Sequence, residues 1–252
     1  MRIERIGFTP LKGARHTEHG VAELSLQGPV GDRRYCLVDP SSRRVLRTVE
    51  NPTMVRTVAR VDGAALAVEL PGRRVDGVPE PIGETVEVDY WGRREVIDAV
   101  GGPWAEAFSD YLGFEVVLAR VGRPGGVVYG ASVSIVTTSS VSLLAQRTGR
   151  DVDSARFRAT IVLDTSAYEP HVEDSWVGRE LRLGTATVLV RALVPRCAVI
   201  DLDPVSGARD LPIMAALAEY RRAGREVAFG VDAVVTSAGS VHSGDVAEVV
   251  RR

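Results

Sequence analysis

A cysteine follows a proline and an arginine in Leu193-Val-Pro-Arg-Cys-Ala-Val-Ile-Asp201, where two apolar runs meet. The run 185–194 reads as a buried strand, and Ala198–Ile200 as the start of another. Pro195 has no N–H to donate and ends the ladder between them. Cys197 is therefore expected at a strand end with a guanidinium one residue away. Positive charge beside a thiol favours the thiolate, the form that attacks electrophiles and ligates metals. The other reading of this residue type is a small buried hydrophobe.

Three further basic positions stand out. Lys12, in the turn Thr9–Gly13, is the one lysine among 31 basic residues, and an ammonium is a compact charge that a guanidinium does not reproduce. Arg33 and Arg34 fall in a strand read over 32–39, where alternation sends them to opposite faces, so at most one enters a shared cavity. Arg158 stands in the apolar segment Phe157–Leu163, also read as a strand, and needs an anion beside it, either a structural carboxylate or a ligand phosphate. Lys12, one of the Arg33/Arg34 pair, Arg158, Arg196 and Cys197 together describe a cationic pocket with a thiolate at one end. That suits an anionic ligand carrying a phosphate and a thiophilic centre.

Composition sets bounds on the rest. The 252 residues are 45% hydrophobic and 25% charged, ordinary for a globular chain with a substantial core. A formal net charge of -2 gives no electrostatic case for nucleic acid or an anionic membrane as partner. The two cysteines, Cys36 and Cys197, form no CxxC pair, so a zinc ribbon or iron–sulfur cluster has no ligand set, while a single disulfide stays open. No GxSxG elbow, phosphate-binding GxxxxGK[ST] loop, HExxH or EF-hand loop occurs. His16 and His19 could meet on a metal with Glu18 between them, but their loop-like, polar setting predicts exposure, as does that of His171 beside Glu173 and Asp174. The opening Met-Arg-Ile-Glu-Arg-Ile is not a signal-peptide pattern, and no apolar window reaches membrane-spanning length. A reduced, cytoplasmic protein is the expectation.

The elements that would position these residues are mainly β. Short strands recur through the first third with Gly, Pro or Asp between them, the rhythm of antiparallel sheet or barrel. Helices are predicted over 103–112, closed by Gly113, over 139–148 with a serine cap, and over 211–223, stopped by Gly224. Arg120–Gly126 is the best linker, and Glu173–Gly178 reads as a loop.

Collinear motifs then match a known family. Thr9-Pro-Leu-Lys-Gly13, Gly31-Asp-Arg-Arg-Tyr-Cys-Leu-Val-Asp39, Arg47-Thr48 with Asn51-Pro52, Phe157-Arg-Ala-Thr-Ile-Val162, Glu173-Asp-Ser-Trp176, Arg196-Cys197, Asp203-Pro-Val-Ser-Gly207, Phe229-Gly230 and Ser243-Gly-Asp245 occur in order along nearly the whole chain. In this the chain resembles the MOSC family, with its companion N-terminal β domain, and within it the amidoxime-reducing components and their bacterial counterparts. The resemblance implies a mainly β fold, with a MOSC β-barrel domain over 121–252, an N-terminal β-barrel-like domain over 1–120, chain segments free to intertwine in the barrel, and a few short helices. It implies a molybdenum cofactor (a molybdopterin) between the two, ligated by Cys197. Lys12 and Arg33 or Arg34 would hold the pterin phosphate, with Arg34 the better positional match. Ser132, Arg158, Arg196 and Asp232 would supply further contacts, although the residue type at 232 differs. Gly13 replaces the usual serine and Ala159-Thr160 the usual Pro-Asn, weakening two contacts. The implied activity is a molybdenum-dependent oxidoreductase reducing small N-hydroxylated or N-oxide compounds, with electrons from a separate protein, since the chain carries no ferredoxin domain. The alternatives are sulfur transfer or C–S bond chemistry on a Cys197 persulfide, and a non-catalytic cofactor carrier.

Overall fold

The computed structural model describes residues 1–250. Strands dominate it, with three α-helices among the described residues: Trp104–Leu112, Thr138–Thr148 and Ile213–Ala218. Among those residues no helix is long and apolar enough to cross a membrane.

Two sheet systems carry the chain. The first is a closed barrel of Tyr35–Asp39, Arg44–Val45, Glu80–Tyr90, Arg93–Gly101 and Val117–Val121. Alternation builds its wall: Glu95, Ile97 and Ala99 are buried while Val96 faces solvent. Cys36, Val38, Val88, Tyr90, Ile97 and Ala119 pack in its interior. The meander Val58–Asp62, Ala65–Leu70 and Arg73–Gly77 shares a second apolar cluster with Trp104 and Phe108 of the first helix.

The second system is a nine-stranded sheet. Its order is Thr17–His19, Arg2–Phe8, Ile161–Asp164, Val133–Thr137, Glu226–Ser237, Ala186–Pro195, Glu180–Leu183 and Ala247–Val249, with Arg222–Ala223 added to Glu226–Ser237. Val133–Thr137 and Ile161–Asp164 run parallel, and the helix Thr138–Thr148 lies in the crossover that parallel strands require. Glu226–Ser237 is central and is buried without a break from Val227 to Ala233, apolar or glycine throughout except for Asp232. A three-stranded sheet of Val21–Ser25, Gly28–Pro29 and Gly239–His242 contributes Ala22, Leu24 and Val241 to the same core.

Strand pairing ties the N-terminal segment to later parts of the chain in both the large and the three-stranded sheet. Arg2–Phe8 pairs with Ile161–Asp164, and Val21–Ser25 with Gly239–His242. The position 120–121 lies inside Val117–Val121, a strand of the barrel.

Local structure departs from the sequence expectations at three places that bear on the site. The helix expected over 211–223 spans only Ile213–Ala218. Gly224, at φ 62, sits between Arg222–Ala223 and Glu226, which pair as a hairpin, and Arg221 is drawn to Asp174 by bonds of 2.7 and 2.9 Å. Sheet pairing overrides helix propensity there. Ala198–Ile200 is not the start of a strand but part of a 3-10 turn, Ala198–Asp201. The strand expected from Phe157 begins only at Ile161, because Arg158 takes a left-handed conformation, φ 51, at the end of the turn Ser154–Phe157.

Candidate functional site

A cavity of about 630 Å³ lies where barrel and large sheet meet. The N-terminal turns give Lys12, Gly13 and Arg33, the barrel hairpin gives Tyr90 and Trp91, and the large sheet with its loops gives Ser132, Ser134, Arg158, Arg196, Cys197 and Asp232.

Cys197 is exposed, and its thiol is free. It sits one residue beyond the ladder, which holds through Pro195 opposite Ala228 and the Arg196 N–H bonded to the Val227 carbonyl at 2.8 Å. The Arg196 side chain turns back into the protein. Its Nε donates to the Phe229 carbonyl at 2.7 Å, its Nη1 to that of Phe157 at 3.0 Å, and its Cζ lies 5.4 Å from the Phe157 ring centroid. Nη2 is buried without a partner among the described residues, and burial pushes the guanidinium down to about 10. Gly230 lets this happen: at φ 72, a Cβ there would stand 2.5 Å from the Ile135 carbonyl and 3.2 Å from Arg196 Nη2.

The other cations gather on the N-terminal side. Lys12 is fixed by its backbone N–H to the Tyr35 carbonyl at 2.9 Å, and its Nζ lies 4.7 Å from the Tyr90 ring centroid. Among the described residues no carboxylate pairs with it. Burial, then the charges of Arg33 and Arg158, push its ammonium down to about 7. Arg158 donates to the Ala14 carbonyl at 2.8 Å and is pushed down to about 9, again by burial first and Arg33 second. Arg33 forms an ion pair with buried Asp32, which also accepts from the Thr9 N–H at 3.3 Å.

Arg34 is the one expected anchor outside the cavity. It is exposed, with its guanidinium 5.7 Å from the Tyr35 ring centroid. The resemblance favours Arg34 by position and alternation through 32–39 admits only one of the pair, but the strand begins at Tyr35 and Arg33 lies in a left-handed turn at φ 45. The turn, not the pleat, selects which guanidinium enters.

Asp232 is buried. Its Oδ2 accepts from the Ala131 N–H at 2.9 Å, while Oδ1 has no partner among the described residues. Ser132 lines the cavity against Gly28. Thr160 and Ser134 lock two strands together, each side-chain oxygen accepting from the other's backbone N–H at 3.1 and 3.2 Å. Gly13 has φ 92, and a Cβ there would lie 2.4 Å from Met54 Cε, so a serine at this position requires Met54 to move. Sequence reading passed over Asp32, Tyr90, Trp91 and Ser134. The signals were present in an acid beside Arg33 and in a Trp-Gly step between two alternating segments.

His16, His19 and His171 do not behave as exposed residues. His16 is 6% exposed and neither ring nitrogen has a partner among the described residues. Burial, then the charges of Arg158 and Arg33, hold it well below the usual imidazole range. His19 is half-buried and stacks on Phe8 with centroids 3.7 Å apart. His171 is also half-buried, its ring nitrogens enclosed beside Tyr220 and Phe229, and burial pushes it down to about 4. The loop context misled because the strand Thr17–His19 and the turn Val172–Trp176 fold these rings against apolar neighbours. Among the described residues no three His, Cys, Asp or Glu side chains gather to hold a metal. Cys36, buried inside the barrel and pushed up to about 12, forms no disulfide with Cys197.

The profile of the MOSC domain matches residues 109–248, more than half of the chain. The chain belongs to the MOSC domain family. The matched span carries Ser132, Arg158, Arg196, Cys197 and Asp232, while Lys12 and Arg33 come from the segment before it. Among solved structures, this MOSC chain is similar to the YuaD protein of Bacillus subtilis, at 14% identity and TM-score 0.49 over 98% of this chain and 94% of that one. It is similar to YiiM of Geobacillus stearothermophilus at 20% identity and TM-score 0.36, covering 48% of this chain and 55% of that one. YiiM of Escherichia coli aligns at 18% identity and TM-score 0.35 over the same shares, 48% and 55%. No curated protein matches the chain.

Proposed function

We propose that this MOSC protein binds a molybdenum cofactor in the cavity and works as an oxidoreductase on small N-hydroxylated or N-oxide compounds. The observation that carries the reading is a set of cations without a full set of anions. Lys12 has no carboxylate partner among the described residues, Arg158 is held by one carbonyl, and Arg33 shares Asp32 with the Thr9 N–H. All three are part-buried, and charge withdrawn from bulk water is ordinarily paired, so a phosphate fits the place these three surround.

Two orphaned polar atoms support the same fit. Arg196 Nη2 is a buried donor and Asp232 Oδ1 a buried acceptor, both on cavity residues and both without partners among the described residues. A pterin offers acceptors and N–H donors to match them. Cys197, an exposed thiol in the same cavity, has the softness a molybdenum–sulfur coordination set calls for. Bound there, the cofactor would supply two-electron oxygen-atom transfer.

This chain's own residues do the rest. Lys12, Arg33 and Arg158 neutralise the phosphate, and the carbonyl-held Arg196 fixes the backbone just before the thiol. Electrons would reach the site from a separate donor protein.

Turnover tests the reading. Protein made in a cofactor-producing host, given a dye reductant and an N-hydroxylated amidine, is expected to reduce it, and Cys197→Ala is expected to fall to background. A wild-type protein that binds no molybdenum, shows no turnover and carries sulfane sulfur on Cys197 would replace this reading with sulfur transfer. One that holds metal and pterin but turns over nothing would point to a carrier.

A further inference from the structure

Two aromatic rings stand at the cavity wall beyond the cation cluster. Trp91 is 45% exposed and Tyr129 is 52% exposed, with centroids 5.7 Å apart in an edge-on arrangement. They come from different segments. Trp91 is at the tip of the barrel hairpin, and Tyr129 lies in the loop between Val117–Val121 and Val133–Thr137.

The backbone at Trp91 is costly. Tyr90 pairs with Arg93, leaving a two-residue loop in which both Trp91 and Gly92 have positive φ, 55 and 76. Such loops take Asn, Asp or Gly first, because a Cβ is strained in the left-handed region. A bulky aromatic residue in that place is poor for the turn, and strain of this kind concentrates at ligand-binding positions.

The surroundings hold both rings in register. Arg93 Nη2 donates to the Val128 carbonyl at 2.6 Å, tying the hairpin to the Tyr129 loop. The Arg47 guanidinium, itself bonded through Nε to Glu50 at 2.9 Å, lies 4.5 Å from the Trp91 centroid. The Lys12 ammonium lies over the ring of Tyr90, the residue before Trp91, so the aromatic wall continues into the cation cluster.

We propose that Trp91 and Tyr129 form a substrate-selecting subsite that takes the flat conjugated group of a neutral N-hydroxylated substrate. The inference rests on the function proposed above. Aromatic faces prefer planar π systems in offset or edge-on contact. Arg93 beside the rings, with Lys12, Arg33 and Arg158 behind them, disfavours a positively charged ring system, while Arg47 is neutralised by Glu50. An aryl amidoxime, uncharged at neutral pH, meets both conditions.

The test is calorimetric binding of benzamidoxime and of acetamidoxime to the protein as isolated, alongside molybdenum and pterin content. Wild type is expected to bind the aryl probe about tenfold more tightly than the methyl probe. Trp91→Gly, which also relieves the turn, and Tyr129→Ala should each bring the two affinities to within about threefold with metal and pterin unchanged. Trp91→Tyr should retain most of the preference. An aryl preference that survives both ring removals, or ring removals that empty the protein of pterin, would overturn the subsite. The two proposals fail separately: a metal-free wild type that still prefers the aryl probe defeats the cofactor reading alone. A metal-loaded wild type without the preference defeats the subsite alone.

Discussion

Arg156 and Arg158 are two residues apart in one turn and have opposite surroundings. Arg156 is 5% exposed and meets Asp210 in a two-pronged pair at 2.7 and 2.8 Å, with Asp203 4.0 Å away. Arg158 has one carbonyl as hydrogen-bond partner, with Arg33, Arg5 and Lys12 as cationic neighbours and Asp32, already paired with Arg33, as the nearby acid. The fold supplies a carboxylate where a buried guanidinium has a structural task. Around the cavity three cations share the single carboxylate of Asp32, and a ligand anion is what would complete the pairing.

The largest effect that can break this comparison is on stability. Asp210→Ala leaves Arg156 only Asp203 at 4.0 Å and should lower unfolding free energy by about 3 kcal/mol in denaturant titrations. Arg158→Met, which loses a single hydrogen bond and relieves repulsion, should cost less than about 1 kcal/mol. Equal losses would erase the distinction between structural and ligand-facing charge.

A smaller effect concerns pH. Lys12 is pushed down to about 7 in the folded chain, below the ordinary 10.5. The native state therefore holds fewer protons than the unfolded chain between these values, and this group's contribution makes stability rise with pH across that window. Anion binding runs the other way, because the lysine charge is lost as pH rises through about 7. Sulfate, standing in for a phosphate monoester, should bind more weakly at pH 8 than at pH 6 by titration calorimetry, and Lys12→Met should flatten that dependence. A wild-type affinity that does not move with pH would remove Lys12 from the anion site.

Much of this was legible in the residues. Pro195 marked the end of the ladder, the lone Lys12 and the misfit Arg158 marked the cavity, and apolar periodicity marked Trp104–Leu112. What escaped was set by backbone turns and tertiary pairing. Whether Arg33 or Arg34 faces inward depends on a left-handed turn that alternation does not report. The end of the third helix depends on a hairpin with Glu226–Val227 and on Asp174, far away in sequence. His16 is buried because residues before and after it fold into one sheet, which a local reading of a polar segment does not show.

Cofactor occupancy tests the central claim most directly. Protein from a cofactor-producing host should carry molybdenum and pterin in equal amounts, and Lys12→Met combined with Arg158→Met should lower both by more than about tenfold while the fold is retained. A double variant that keeps its full complement of pterin and metal, or a wild type that acquires neither, would contradict the account.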